Sequence, residues 1–173
     1  MEGCVRSLQH APQVPGRFEL VNAGQDFTVV VDYAHTPDGL ENVLKAAREL
    51  DPKRLISVFG CGGNRDSSKR PLMGRIGAKN SDIAVITTDN PRFEEPLDII
   101  ASIEDGAKEA KGTYMVEADR AKAIELAINM AEPGAVVVIA GKGHEDYQII
   151  RGVKHHFDDR EQAFAALKKL SAK

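Results

Sequence analysis

The fold is decided by residues 83–96, which read Ile83-Ala84-Val85-Ile86-Thr87-Thr88-Asp89-Asn90-Pro91-Arg92-Phe93-Glu94-Glu95-Pro96. The first four residues form an apolar run that predicts a buried strand. An amphipathic segment begins near Pro96, so the polar residues form a loop between the carboxyl end of a strand and a helix. Ligands of open α/β sheets bind at such loops. A simple turn needs no arginine, and we therefore interpret this stretch as a binding loop.

Outward from this loop, apolar runs alternate with amphipathic segments along the whole chain. Such alternation predicts an α/β fold, with a mostly parallel sheet and helices on both faces. The predicted strands are Phe18–Val21, Phe27–Asp32, Arg54–Gly60, Ile83–Thr87, Tyr114–Glu117 and Ala135–Ala140, with an antiparallel edge hairpin of Tyr147–Ile150 and Lys154–Phe157. The predicted helices begin at Pro37, Lys69, Leu97, Arg120 and Asp158 or Asp159.

Composition excludes several classes of protein. The chain has 173 residues, of which 42% are hydrophobic, enough for one globular domain with a core. The net charge is −3, whereas proteins that bind nucleic acid usually carry a basic surface. Only 5% of the residues are aromatic, too few to suggest a surface on which bases stack. The longest apolar run is far too short to span a bilayer. We therefore expect neither a nucleic-acid partner nor a membrane partner.

Two cysteines, Cys4 and Cys61, are too few and too far apart for a metal cluster or a disulfide framework. Free thiols are typical of a reducing compartment, and the N-terminus shows no apolar signal segment. We predict a cytoplasmic protein. The pair His155-His156 lacks the cysteine or carboxylate spacing of a zinc site, so no metal site is expected.

Polar residues follow four of the predicted strands at their carboxyl ends. The loops are 32–37, 60–66, 88–96 and 141–146. In a parallel sheet these loops share one edge, so their side chains should meet in one cleft. The glycines of 60–63 would let a backbone approach a ligand closely, although a tight strand-to-helix turn explains them equally well.

Several charged residues in or near these loops can be interpreted in two ways. Arg70 opens a helix, where a cation does not complement the helix dipole, so it either binds an anionic ligand or is a solvated surface residue. Asp32 could hold a ribose hydroxyl or accept a hydrogen bond in an Asx turn. Glu145 suits a ligand ammonium group, whereas His144 and His35 are more often structural.

Seven segments in one order resemble the C-terminal domain of the Mur ligases, within the branch that adds diaminopimelate. They are Val14–Arg17, Val31–Pro37, Phe59–Asp66, Lys69–Met73, Thr88–Arg92, Gly141–Glu145 and Asp158–Arg160. The resemblance implies a Rossmann-like domain, spanning residues 18–173, that supplies the incoming amino acid. It also implies that residues 1–17 are the tail of a central ATPase domain and a linker.

The resemblance also implies roles for particular residues. Meso-diaminopimelate would be bound by Arg70, Asp89, Asn90, Pro91, Arg92, Gly141 and Glu145, and the nucleotide would be faced by Arg17, Asp32 and His35. The chemistry is consistent, because an arginine grips a carboxylate with two parallel bonds. Lysine lacks the distal carboxylate and would leave buried cations unpaired, so such a site should reject it.

Family resemblance further implies a reaction in which ATP phosphorylates the acceptor carboxylate and the amine attacks the acyl phosphate. The phosphate-binding loop, the ligands of Mg²⁺ and the domain for UDP-MurNAc-L-Ala-D-Glu are not found in this sequence. We therefore expect a monomeric fragment of the ligase, with no catalytic residue of its own and no turnover alone. The alternatives are a lysine-adding relative, or a stand-alone module that binds a nucleotide or an amino acid.

Overall fold

The computed structural model describes residues 14–172 and contains two sheets. The larger sheet consists of β1 (Glu19–Leu20), β2 (Thr28–Asp32), β3 (Leu55–Phe59), β4 (Ile83–Ile86), β5 (Tyr114–Val116) and β6 (Val136–Ala140). The smaller sheet is a hairpin of β7 (Tyr147–Ile150) and β8 (Val153–His156). The helices are α1 (Pro37–Arg48), α2 (Lys69–Asn80), α3 (Pro96–Ala110), α4 (Arg120–Asn129) and α5 (Asp159–Ser171).

Strand order in the large sheet is β1-β2-β6-β3-β4-β5. All neighbours pair in parallel except β1, which lies antiparallel to β2 at the edge. The carboxyl ends of β2, β6, β3 and β4 therefore lie side by side. This topology confirms the predicted mostly parallel α/β fold.

Each face of the sheet carries its own apolar core. Residues one apart on a strand point to opposite faces, so Val138 of β6 packs in one core and Val137 in the other. The first core contains the buried sides of α1, α2 and α3, and the second contains those of α4 and α5. Helices therefore cover both faces, as the apolar runs predicted.

Most boundaries differ from the predicted ones by one or two residues. The predicted start of α2 at Lys69 is confirmed, α3 begins at Pro96 rather than Leu97, and α4 ends at Asn129 with Met130 as its C-cap. The first strand is shorter than predicted because Phe18 adopts a left-handed φ of 45° and donates its N–H to the Asp32 carboxylate. Residues 1–13 of the predicted linker lie outside the described residues.

Within the described part of the chain, no helix is both long enough and apolar enough to cross a membrane.

Candidate functional site

The four polar loops meet in one cavity of about 410 Å³ at the carboxyl edge of the sheet. Each of the four contributes lining residues, and the hairpin adds one more. The lining consists of Tyr33, His35, Thr36, Gly60, Gly62, Arg65, Asp66, Lys69, Asp89, Asn90, Arg92, Gly141, Glu145 and Tyr147. The convergence that the sequence predicted is therefore present, and it joins residues more than 50 positions apart in the chain.

Glycines allow two of these loops to touch. Gly63 donates its N–H to the Asn90 carbonyl at 2.9 Å, and a β-carbon at Gly63 would lie 2.0 Å from the Pro91 carbonyl oxygen. At Gly141 the φ of +125° is a conformation that side chains rarely adopt. The close approach of two backbones explains Gly63, and its backbone conformation explains Gly141, without a bound ligand.

Arg92 holds the binding loop against the hairpin through its backbone. Its φ of 56° is left-handed, which is unusual for a bulky residue. Its N–H donates to the Ile149 carbonyl at 2.9 Å, and its own carbonyl accepts from the Arg151 N–H at 2.5 Å. Its side chain lines the cavity, and Nη1 donates to the Gly63 carbonyl at 2.8 Å. These bonds fix a strained residue in one position.

Asn90 and Glu145 lie in contact on the cavity wall. Asn90 Nδ2 donates to Glu145 Oε2 at 3.2 Å. Behind them lies Lys142, which is fully buried, does not line the cavity and donates from Nζ to Asn90 Oδ1 at 3.2 Å. Burial lowers the pKa of Lys142, while the nearby Asp89 carboxylate opposes this effect. The site therefore places a cation, an amide and two carboxylates within one small volume.

Arg70 is buried but does not line the cavity. Its Nη2 donates to both carboxylate oxygens of Glu94, at 3.0 and 2.9 Å, and its buried Nε has no hydrogen-bond partner among the described residues. The pKa of Glu94 is lowered chiefly by the hydrogen bond from the Asn64 backbone, which outweighs partial burial, and Arg70 adds to this. In this arrangement a protein carboxylate, that of Glu94, binds the arginine that the family resemblance assigns to a ligand carboxylate.

The three predicted nucleotide residues lie around Tyr33. The Arg17 guanidinium is 4.7 Å from the centre of the Tyr33 ring, and the ring centres of Tyr33 and His35 are also 4.7 Å apart. Of the three, only His35 lines the cavity. Asp32 accepts N–H bonds from Phe18 at 2.7 Å and from Ala34 at 2.8 Å. The second of these is the Asx-turn geometry that the sequence left open.

Sequence reasoning assigned no role to two buried cations, Lys142 and Arg120. Arg120 is 1% exposed and joins three loop or helix ends through its guanidinium. The only available signal was their position beside strand ends, since lysine and arginine are usually exposed. Within residues 14–172, no three His, Cys, Asp or Glu side chains are grouped to hold a metal ion.

Comparison with known proteins places the chain in a family. Residues 16–143 match the family described as "Mur ligase, glutamate ligase domain". This chain belongs to the Mur ligase family. Among its Mur ligase relatives, a UDP-N-acetylmuramoyl-L-alanyl-D-glutamate--2,6-diaminopimelate ligase of Syntrophomonas wolfei is 57% identical over 96% of this chain and 34% of the relative.

Two further comparisons agree with this one. A ligase of the same name from Clostridioides difficile is also 57% identical, over 91% of this chain and 32% of its own length. A solved structure of a UDP-N-acetylmuramoyl-L-alanyl-D-glutamate--2,6-diaminopimelate ligase superposes with a TM-score of 0.86 and 40% identity, covering 96% of this chain and 34% of that one. The Mur ligase chain described here therefore spans about a third of the length of these relatives.

Proposed function

We propose that this chain is the amino-acid-binding domain of an ATP-dependent ligase that adds meso-diaminopimelate to UDP-MurNAc-L-Ala-D-Glu in peptidoglycan synthesis. The observation that carries the proposal is the placement of Arg92, Asn90 and Glu145 around one cavity. These groups suit an amino-acid centre, which presents a carboxylate and an ammonium side by side. The names of relatives at 57% identity support the choice of substrate.

Each group has a defined task in this proposal. Arg92 uses Nη1 for the Gly63 carbonyl, and the rest of its guanidinium fork would bind the distal carboxylate of diaminopimelate. Asn90 Nδ2 would donate to the same carboxylate, and Glu145 would accept from the distal ammonium. Asp89, Pro91 and Gly141 shape the two loops. Arg70 would join the site by exchanging Glu94 for the ligand.

ATP would activate the acceptor carboxylate. Residues of this chain would form part of the ATP-binding site. Arg17 and His35 form a cationic and aromatic surface with Tyr33 beside the cavity, which suits a nucleotide. Asp32 would act through the loop that it closes with Ala34. We propose that the remaining ATP ligands and those of Mg²⁺ belong to the other two thirds of the relatives. The cytoplasmic location and the monomeric state stay predictions.

Calorimetric titration of meso-diaminopimelate and lysine tests the proposal. In the complete polypeptide that contains this chain, we expect lysine to bind roughly 100-fold or more weakly, because it leaves the arginine site unpaired. Arg92→Ala should weaken diaminopimelate binding by about 10- to 100-fold and reduce the discrimination. The matched control is Arg75→Ala, since the exposed Arg75 pairs with the exposed Glu109.

Equal affinity for the two amino acids would refute the arginine assignment and favour a lysine-adding relative. Amide-bond formation should require the complete polypeptide, and turnover by residues 1–173 alone would contradict a purely binding role.

A further inference from the structure

Lys142 makes an unusual set of contacts for a lysine. The side chain is fully buried, and Nζ donates to the Tyr147 carbonyl at 2.6 Å and to Asn90 Oδ1 at 3.2 Å. Carboxylates lie slightly farther away, with Asp89 Oδ1 at 3.7 Å and Glu145 Oε2 at 3.9 Å. All of these partners belong to the cavity wall, but Lys142 itself does not reach the cavity.

A buried ammonium group is costly to the fold. Removing it from water lowers its pKa, and the Asp89, Asp159 and Glu145 carboxylates only partly offset that effect, while Arg120 adds to it. An apolar side chain of similar length would fill the same space without the cost of desolvation. The position of the ammonium group therefore calls for a reason other than stability.

The orientation of the Asn90 amide supplies that reason. Asn90 Oδ1 accepts from Lys142 Nζ and also from the Ile149 backbone N–H at 2.9 Å. Only the oxygen of an amide can accept two such bonds, so the NH₂ group must point the other way. One of its protons goes to Glu145 at 3.2 Å. Among the described residues Glu145 is the one acceptor of this NH₂ group, and Asn90 lines the cavity, so the second proton is left for a ligand.

We propose that Lys142 is a positioning residue that fixes the Asn90 amide as a hydrogen-bond donor toward the bound amino acid. This inference rests on the proposed function and deepens it. Without Lys142 only the Ile149 N–H would hold the amide oxygen in place, so the amide would turn over more readily and present its oxygen, which repels a carboxylate. With Lys142 in place, Asn90 donates beside Arg92 while Glu145 accepts, so the wall distinguishes the carboxylate of the ligand from its ammonium group.

A double-mutant cycle with Lys142→Met and Asn90→Ala tests this role in the complete polypeptide. Each single variant should weaken binding of meso-diaminopimelate about tenfold or more, since each removes a hydrogen bond to a charged group. Because Lys142 acts through Asn90, the double variant should bind no more weakly than Asn90→Ala alone. Michaelis constants for diaminopimelate should rise while those for ATP stay unchanged.

Lys154→Met is the matched control, because Lys154 also lies beside Tyr147, with Nζ 4.2 Å from the centre of the ring, but is itself exposed. Its affinity should equal that of the parent. The inference would be overturned if the double variant lost affinity by the product of the two single fold-changes. Unchanged affinity in Lys142→Met would overturn it as well.

A second measurement needs no variant. Scalar coupling across the hydrogen bond between Ile149 N and the Asn90 side-chain carbonyl can be measured by NMR in the ligand-free protein. We expect the coupling to be present, and its absence would refute the amide orientation. This measurement needs no ligand. Failure of the parent protein to bind diaminopimelate would refute the proposed function, whereas the coupling tests only the orientation of the Asn90 amide.

Discussion

Two buried cations lie beside the carboxyl ends of the central strands, and they are held in different ways. Arg120 pairs with the fully buried Asp159 through Nε at 2.8 Å and Nη2 at 2.7 Å, and its other bonds go to the carbonyls of Ala140 and Thr88. Lys142 instead contacts Asn90 and Glu145, which line the cavity. The first cluster is closed on itself, while the second extends to the cavity.

This difference distinguishes a cluster that stabilises the fold from one that belongs to the cavity wall. Every bond of the Arg120 cluster ends on a buried group of the fold, so the pair fixes where α4, α5 and two loops meet. The Lys142 cluster ends on side chains that retain hydrogen-bonding capacity toward the cavity. A buried charge whose partners are all internal therefore indicates architecture, and one whose partners reach a cavity indicates a binding site.

The largest effect is expected from a substitution that breaks the closed cluster of Arg120 and Asp159. Arg120→Met leaves the Asp159 carboxylate buried without its partner, and it should destabilise the chain by about 3–5 kcal/mol. Urea unfolding at neutral pH measures the change. Arg120→Met combined with Asp159→Leu should recover most of the stability, because two apolar groups replace a costly pair. A loss as small as that of the exposed Arg75–Glu109 pair, under about 1 kcal/mol, would contradict a structural role.

The next effect breaks the open cluster without unfolding the chain. Glu145→Gln keeps the shape of the side chain and an acceptor for Asn90 but removes its charge. Affinity for meso-diaminopimelate in the complete polypeptide should fall by about 10- to 100-fold. The free energy of unfolding should fall by only about 1 kcal/mol, because Lys142 Nζ keeps the nearer carboxylate of Asp89 at 3.7 Å. Glu109→Gln, on a surface helix, is the control. Unchanged affinity would remove Glu145 from the site.

The smallest expected effect is on the pH dependence of stability, in which Lys142 and Arg120 should differ. The pKa of Lys142 is lowered from its ordinary value of 10.5, mainly by burial and despite Asp89, whereas that of Arg120 is raised by Asp159 despite burial. In the unfolded chain Lys142 holds its proton to higher pH than in the folded chain. Its contribution to stability should therefore increase as pH rises through the interval below 10.5.

Comparison of chemical unfolding for the parent and Lys142→Met across this interval isolates the effect from other titrating groups. The groups facing Lys142 are Asp89, Glu145, Arg120 and Asp159, and all are retained in the variant. Parallel stability curves for the two proteins would show that Lys142 has an ordinary pKa in the folded chain.

The fold could be predicted from the sequence because its strands are continuous apolar runs. The run from Val136 to Ala140 is buried at every residue, which only a central strand covered on both faces requires. The position of the polar loops followed from that topology. By contrast, boundaries depended on caps such as Met130, which side-chain periodicity does not reveal.

The candidate site could be predicted only in part. Asn90, Arg92 and Glu145 follow strand ends, so their convergence was visible in the sequence. The burial of Lys142 and Arg120 was not, because a charged residue becomes buried only when partners from distant segments surround it. The pairing of Arg70 with Glu94, 24 residues away, likewise depends on how two loops fold over one another. Contacts of this kind are set by three-dimensional packing and leave no local pattern.

The docked hairpin suggests how such a domain can change its preference at little cost. Within the described chain, β7 and β8 form a sheet of their own, joined to the binding loop by the backbone of Arg92 and by Gln148, which donates to the Asp89 carbonyl at 2.7 Å. Residues of β7 and β8 belong to neither apolar core, so we expect substitutions on the hairpin to move the side chains of the binding loop while both cores stay intact. Under the proposed function, selectivity and foldability can then vary separately, which makes the hairpin a natural place to begin redesigning the choice of amino acid.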